Sequence, residues 1–117
     1  MHETLQRAIT VHSQWKYRLQ KAVKTAQSPL TVEDSKNYHQ CELGKWLDSP
    51  AGKALPNWDE LNQLHQQFHE EASHILELAL AGKNQEAEEK MQLGSRFSQL
   101  TARLVTKIAA LDESLKV

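Results

Sequence analysis

The sequence predicts an all-α fold: an antiparallel helical bundle of three long helices plus a short, kinked helical segment that carries the cysteine. Three observations predict it. Only four Gly and three Pro punctuate the 117 residues. The stretches between them are rich in Leu, Ala, Gln, Glu and Lys, which are good helix formers. Apolar residues recur at alternating spacings of three and four, the period of one helix face, with no strand-like alternation in competition. A bundle needs only apolar faces, so the fold class assigns no activity.

The first predicted helix runs from about Thr4 to Ala26, with the stripe Leu5, Ala8, His12, Trp15, Leu19, Ala22 and Ala26. Its other side carries Arg7, Lys16, Arg18, Lys21 and Lys24 and reads as a basic, solvated face. After Pro29, Thr31 reads as an N-cap followed by acids in the first turn. A short helical stretch is expected from there through Tyr38 and Cys41. The run Cys41-Glu-Leu-Gly-Lys-Trp-Leu47 follows, ending at Asp48-Ser49-Pro50, with Gly44 permitting close backbone approach. Asn57 and Glu60 form a capping-box-like start for the third helix, whose stripe is Trp58, Leu61, His65, Phe68, Ala72, Ile75 and Ala79. Gly82 reads as its C′ residue, and Asn84 as a cap for the last helix. That helix presents Met91, Gly94, Phe97, Leu104, Ile108, Leu111 and Leu115, broadened by Leu100 and Val105.

Composition narrows the function classes. Fourteen Lys+Arg against 15 Asp+Glu leave a formal charge of −1, which argues against a nucleic-acid binder that works by phosphate neutralisation. One cysteine excludes an intramolecular disulfide and any Cys₂ or Cys₄ metal site. No apolar run approaches the roughly 20 residues of a membrane span, and Met1-His2-Glu3-Thr4 lacks the layout of a signal peptide. The expectation is one cytoplasmic domain, residues 1–117, without membrane insertion.

The six histidines carry the chemical signal. His12 and His65 stand in the middle of apolar stripes, where a bundle wants Leu. His69 is four residues after His65 and projects from the same helix face. A buried imidazole needs hydrogen-bond partners or a metal, because an unpaired polar group in a core costs about 1–3 kcal/mol. A lone core histidine usually bonds a backbone carbonyl, and that reading is open for His12 taken alone. The His65/His69 pair can offer two nitrogens to one ion. With Cys41 these residues would make three imidazoles and one thiolate, a set suited to tetrahedral Zn²⁺. His2, His39 and His74 read as terminal, turned away and exposed, respectively.

Other chemistries find less support. Glu71-Ala-Ser-His74 is a single Glu-x-x-His, whereas a carboxylate-bridged di-iron site needs two plus two further Glu. There is no Cys-x-x-Cys-His for covalent haem and no His-Glu-x-x-His protease helix, and a hemerythrin-type site lacks its His-x-x-x-Glu. A thiol enzyme using Cys41 with a His base lacks a Gly-rich oxyanion segment.

Three blocks, in order, resemble the chemoreceptor zinc-binding domain family. They are His12-Ser-Gln-Trp15 (His-x-x-Trp), Cys41-Glu-Leu-Gly-Lys-Trp46-Leu47 (Cys-x-Leu/Phe-Gly-x-Trp-Tyr/Leu) and His65-Gln-Gln-Phe-His69 (His-x-x-x-His). The resemblance covers almost the whole chain. It implies a helical bundle with a 3-His/1-Cys zinc site at His12, Cys41, His65 and His69, and frequent homodimerisation. It further implies a sensory, non-enzymatic module, fused to or associated with a chemoreceptor or diguanylate cyclase output, that senses zinc or oxidants such as hypochlorous acid. On this reading Cys41 is a redox switch, and Trp15 and Trp46 pack around the site. Two rivals from other classes remain: a structural dimerisation bundle with a permanent zinc staple, and the thiol enzyme.

Overall fold

The apolar stripes become the buried seam of four helical layers, each antiparallel to the one before it in the chain. The structure is a computed structural model that describes residues 2–28, 31–38 and 41–115. The first layer is α1 (His2–Ser13) followed by α2 (Trp15–Thr25). The second is a chain of short helices, α3 (Val32–Lys36), α4 (Glu42–Asp48) and α5 (Pro50–Lys53). The third is α6 (Trp58–Leu80), and the fourth is α7 (Asn84–Glu89) followed by α8 (Arg96–Leu115). All the described elements are helical.

Side-chain pairings establish the directions. Glu60 pairs with Lys107 and Glu71 with Arg96, so α6 and α8 run oppositely. Gln6 Nε2 donates to Asp112 at 2.8 Å, tying the start of α1 to the end of α8. His69 reaches back to Ser35 and Trp58 to Leu47, so the segment 31–55 descends along α6. This descent returns the chain to the end where α1 began. As a result α1–α2 and α6 are parallel neighbours, with His12 beside His65 and Trp15 beside Phe68.

The helix faces follow the apolar spacing. Leu5, Ala8, His12, Trp15, Leu19 and Ala22 are buried on the first layer, and Leu61, His65, Phe68, Ala72, Ile75 and Ala79 on α6. Phe97, Leu100, Leu104, Ile108 and Leu111 close the core from α8. Gly82 has φ +79 and is the C′ residue of a Schellman ending: its N–H donates to Ala79 O, and that of Lys83 to Leu78 O at 2.9 Å. Thr31 caps α3, its hydroxyl accepting from Asp34 N.

The structure departs from the predicted elements in five places. The first helix breaks at Gln14, whose N–H is shared between Thr10 O and Val11 O. In the turn before the break, the Ala8 carbonyl also accepts from the His12 ring. Ala26 is not on the buried stripe; it is an exposed left-handed C-cap with φ 54. Helix α3 stops at Lys36, short of Tyr38, and Cys41 is the N-cap of a separate helix α4. Asn57 and Asn84 do not cap through their side chains: Asn57 makes no such bond, and Asn84 is the first residue of α7. The last helix is interrupted at Gly94, whose φ of +85 ends one helical run before Ser95 Oγ accepts from Ser98 N and starts the next. Pro29 and His39 lie outside the described residues.

Candidate metal centre

The break between α1 and α2, the middle of α6 and the start of α4 meet at one point. His12 projects from the last turn of α1, His65 and His69 from one face of α6, and Cys41 from the N-cap of α4. One ligand atom from each lies within 4.8 Å of all the others. His12 Nε2 stands 3.6 Å from Cys41 Sγ. Ordinary Zn–S and Zn–N bonds at a tetrahedral angle space those two atoms by about 3.6 Å. His12 and His65 are fully buried and His69 is 4% exposed, whereas Cys41 is half-buried.

Local hydrogen bonds orient the rings. His12 Nδ1 lies 2.7 Å from Ala8 O, and His69 Nδ1 lies 3.0 Å from Ser35 O. A carbonyl oxygen only accepts, so each Nδ1 must carry the proton and donate, and each Nε2 then holds its lone pair toward the cluster. His69 Nε2 is fully buried and makes no hydrogen bond. A donated Nδ1–H with a dry, lone-pair-bearing Nε2 is the arrangement of a metal-binding histidine. His65 packs edge-on between His12, at 5.1 Å, and His69, at 4.6 Å, with the Tyr38 ring 5.7 Å away. Trp15 touches His69 and Phe68, walling the cluster on the α2 side.

Burial sets the protonation states. It lowers the His12 imidazole to about 4, against an opposing contribution from the Ala8 carbonyl. It lowers His69 as well, against Ser35. Burial raises the Cys41 thiol, while the backbone N–H groups of Leu43 and Gly44 at the start of α4 pull the other way. His12 and His69 are therefore held neutral and ready to ligate, and the Cys41 thiol needs a cation to surrender its proton. Three nitrogens and one sulfur in a largely buried cluster fit zinc.

The segment that presents Cys41 is itself fastened at several points. Arg7 of α1 holds Glu42 in a two-pronged ion pair, Nη2 to Oε1 at 2.6 Å and Nε to Oε2 at 3.0 Å. Trp58 Nε1 donates to Leu47 O at 2.7 Å. Ser49 Oγ accepts from Gly52 N. Gly52 lies so close to α4 that an added Cβ would stand 2.4 Å from Trp46 O.

Sequence reasoning found none of Ser35, Tyr38 or Gly52 as site-shaping residues. Ser35 contributes a carbonyl, which every residue has, and the ring of Tyr38 reaches His65 only through the tertiary fold. His74 is exposed, as its spacing implies. The family model described as chemoreceptor zinc-binding domain matches residues 12–76, a span that starts at His12 and takes in the whole cluster. Comparisons with curated proteins and with solved structures gave no significant match.

Proposed function

This chain belongs to the chemoreceptor zinc-binding domain family, a sensory zinc-binding family, and from that premise we propose that it is a regulatory zinc-binding module of bacterial signalling, not an enzyme. The ligands are His12, Cys41, His65 and His69. Bound there, zinc supplies a positive centre that stabilises the Cys41 thiolate, and four protein ligands leave no coordination position for an activated water. The residues themselves tie α1, α4 and α6 to one another. Withdrawal of the metal, or transfer of oxygen to the Cys41 thiolate from hypochlorous acid to give a sulfenic acid and chloride, frees the N-terminus of α4 from the three imidazoles. The shift of α4 against α1 then biases a homodimer contact or a fused output, of chemotaxis or cyclic-di-GMP type, in the cytoplasm. Among the described residues no helix is long and apolar enough to cross a membrane.

One observation supports the sensor reading above others: the ligand set is uneven. The three histidines are buried on long helices, while the cysteine is half-buried at the tip of a seven-residue helix. The depth of the histidines favours a second reading, a permanent structural staple in a dimerisation bundle. Titration in zinc buffers at sub-nanomolar free metal separates the two. A sensor exchanges zinc and remains folded, with changed protection at α4; a staple unfolds on zinc loss. About one zinc per chain is expected, with Cys41→Ala lowering affinity at least tenfold and abolishing the oxidant response. Retention of both in that variant would end the switch reading.

A further inference from the structure

The metal cluster is sealed on one side and open on the other. A cavity of about 360 Å³ is lined by His12, Cys41 and His69, whereas His65 is not among its lining residues. The volume exceeds what a single ion fills. Beyond the cluster, the walls are apolar where Ala8, Val11, Trp15 and Leu43 contribute, and three charged residues stand around the rest: Arg18, Asp34 and Glu42. Glu42 is already committed to Arg7. Arg18 lies over the Trp15 ring, 5.5 Å from its centroid, and makes no ion pair among the described residues. It lines the same cavity as His12, Cys41 and His69, where its charge opposes that of Glu42 at the sulfur. Asp34 is exposed, and its backbone N–H donates to the Thr31 hydroxyl that caps α3.

We propose that this cavity is a subsite for small monoanions, such as a carboxylate, with Arg18 as the residue that selects for negative charge in species approaching the Cys41 sulfur. The apolar walls and the stacked guanidinium suit a ligand with a short organic body and one anionic end. A neutral molecule gains only the walls. A cation meets Arg18 and is disfavoured; of the two carboxylates in the lining, Glu42 is already held by Arg7 and Asp34 is exposed. Of the basic residues of α2, Lys16, Lys21 and Lys24 do not line this cavity, whereas Arg18 borders both it and the neighbouring hollow beside Lys21. The inference deepens the sensor reading, since it takes Cys41 as the group that incoming species must reach.

Two near-isosteric reagents that differ in charge test it. Iodoacetate and iodoacetamide both alkylate a thiolate: the sulfur lone pair forms an S–C bond, the C–I bond breaks, and iodide leaves. Second-order rates at Cys41, the chain's single cysteine, are measured on the full chain as purified with zinc and after chelator treatment. The same chain unfolded in urea serves as the reference. In the folded wild type the iodoacetate-to-iodoacetamide ratio is expected to exceed that of the unfolded chain by about fivefold at low ionic strength and to fall with added salt. Arg18→Gln should return it to the reference, and so should Arg18→Met, which keeps the stem over Trp15; Arg18→Lys should keep most of the preference. A wild-type ratio equal to that of the unfolded chain, or one unchanged in both neutral variants, would overturn the proposal. Zinc content measured on the same samples keeps the two readings apart. A preserved ratio in a chain that binds no zinc removes the metal assignment alone, and an abolished preference in a zinc-loaded chain removes the anion subsite alone.

Discussion

Helix α6 and the segment from 31 to 55 lie side by side and are held by different forces. Helix α6 buries eleven of its 23 residues against three other layers. The adjoining segment is three helices of five, seven and four residues, and their buried members are Ser35, Leu43, Gly44, Leu47 and Gly52. Helices so short have no stability of their own in water. They stay in place through caps at Thr31 and Ser49, the Trp58–Leu47 hydrogen bond and the Arg7–Glu42 pair. Such polar fastenings contribute about 1 kcal/mol each, less when exposed. Opening this segment therefore costs less than opening α6, which is the pattern of a local, low-stability unit on a rigid scaffold. The histidines belong to the scaffold and the cysteine to the detachable unit.

Burial makes the same division in electrostatic terms. It favours the neutral form of His12, His69 and Cys41, and for an imidazole the neutral form is the one that can bind a metal. For Cys41 the neutral thiol is the wrong form. The two scaffold imidazoles thus already stand in the form that a cation would need, whereas the thiol of the short segment must first lose its proton.

The largest expected effect comes from the scaffold. Phe68 is fully buried and touches the rings of His12, Trp15, His69 and Phe97. Phe68→Ala should cost about 3–5 kcal/mol in urea denaturation; a cost under about 1 kcal/mol would dissolve the distinction between the halves. Acidification of the zinc-free chain comes next. The folded-state pKa of His12 is about 4, below its ordinary 6.5, so between these values the unfolded chain binds more protons. Stability is then fully present above about 6.5 and is lost as pH falls toward 4, on the order of 3 kcal/mol. Denaturant midpoints at pH 7 and pH 4 measure it, and a flat profile would show His12 to be solvated. The smallest effect should be confined to the short segment. Gly52→Ala forces α5 off α4 at a cost of about 1–3 kcal/mol. Hydrogen exchange should speed up across 41–55 and leave α6 unchanged; equal loosening of both would show one cooperative unit.

Much of this architecture was legible because helix periodicity is local. The spacing that buries Leu5, Ala8, Trp15 and Leu19 also placed His12 among them, and one-turn spacing put His65 and His69 on a common face. Gly82 was legible because one turn of chain suffices to make a Schellman ending. The break at Gly94 was missed because its place in the apolar stripe masked the Gly94-Ser95 pair, a helix stop followed by a cap. The break at Gln14 has no marker residue at all, neither Gly nor Pro, and shows only in the N–H shared between Thr10 O and Val11 O.

By itself the sequence determined an all-helical chain, the faces that would be buried, and the presence of three imidazoles and one thiol whose order resembles one zinc-binding family. Only the tertiary structure decided that their donor atoms meet within 4.8 Å, that Ala8 and Ser35 carbonyls choose the tautomers, and that Arg18 overlooks the open side. The reason is range. Periodicity and capping are settled within a turn or two of chain, whereas convergence across α1, α4 and α6 depends on how the 31–55 crossover packs, and backbone carbonyls carry no signature in a sequence.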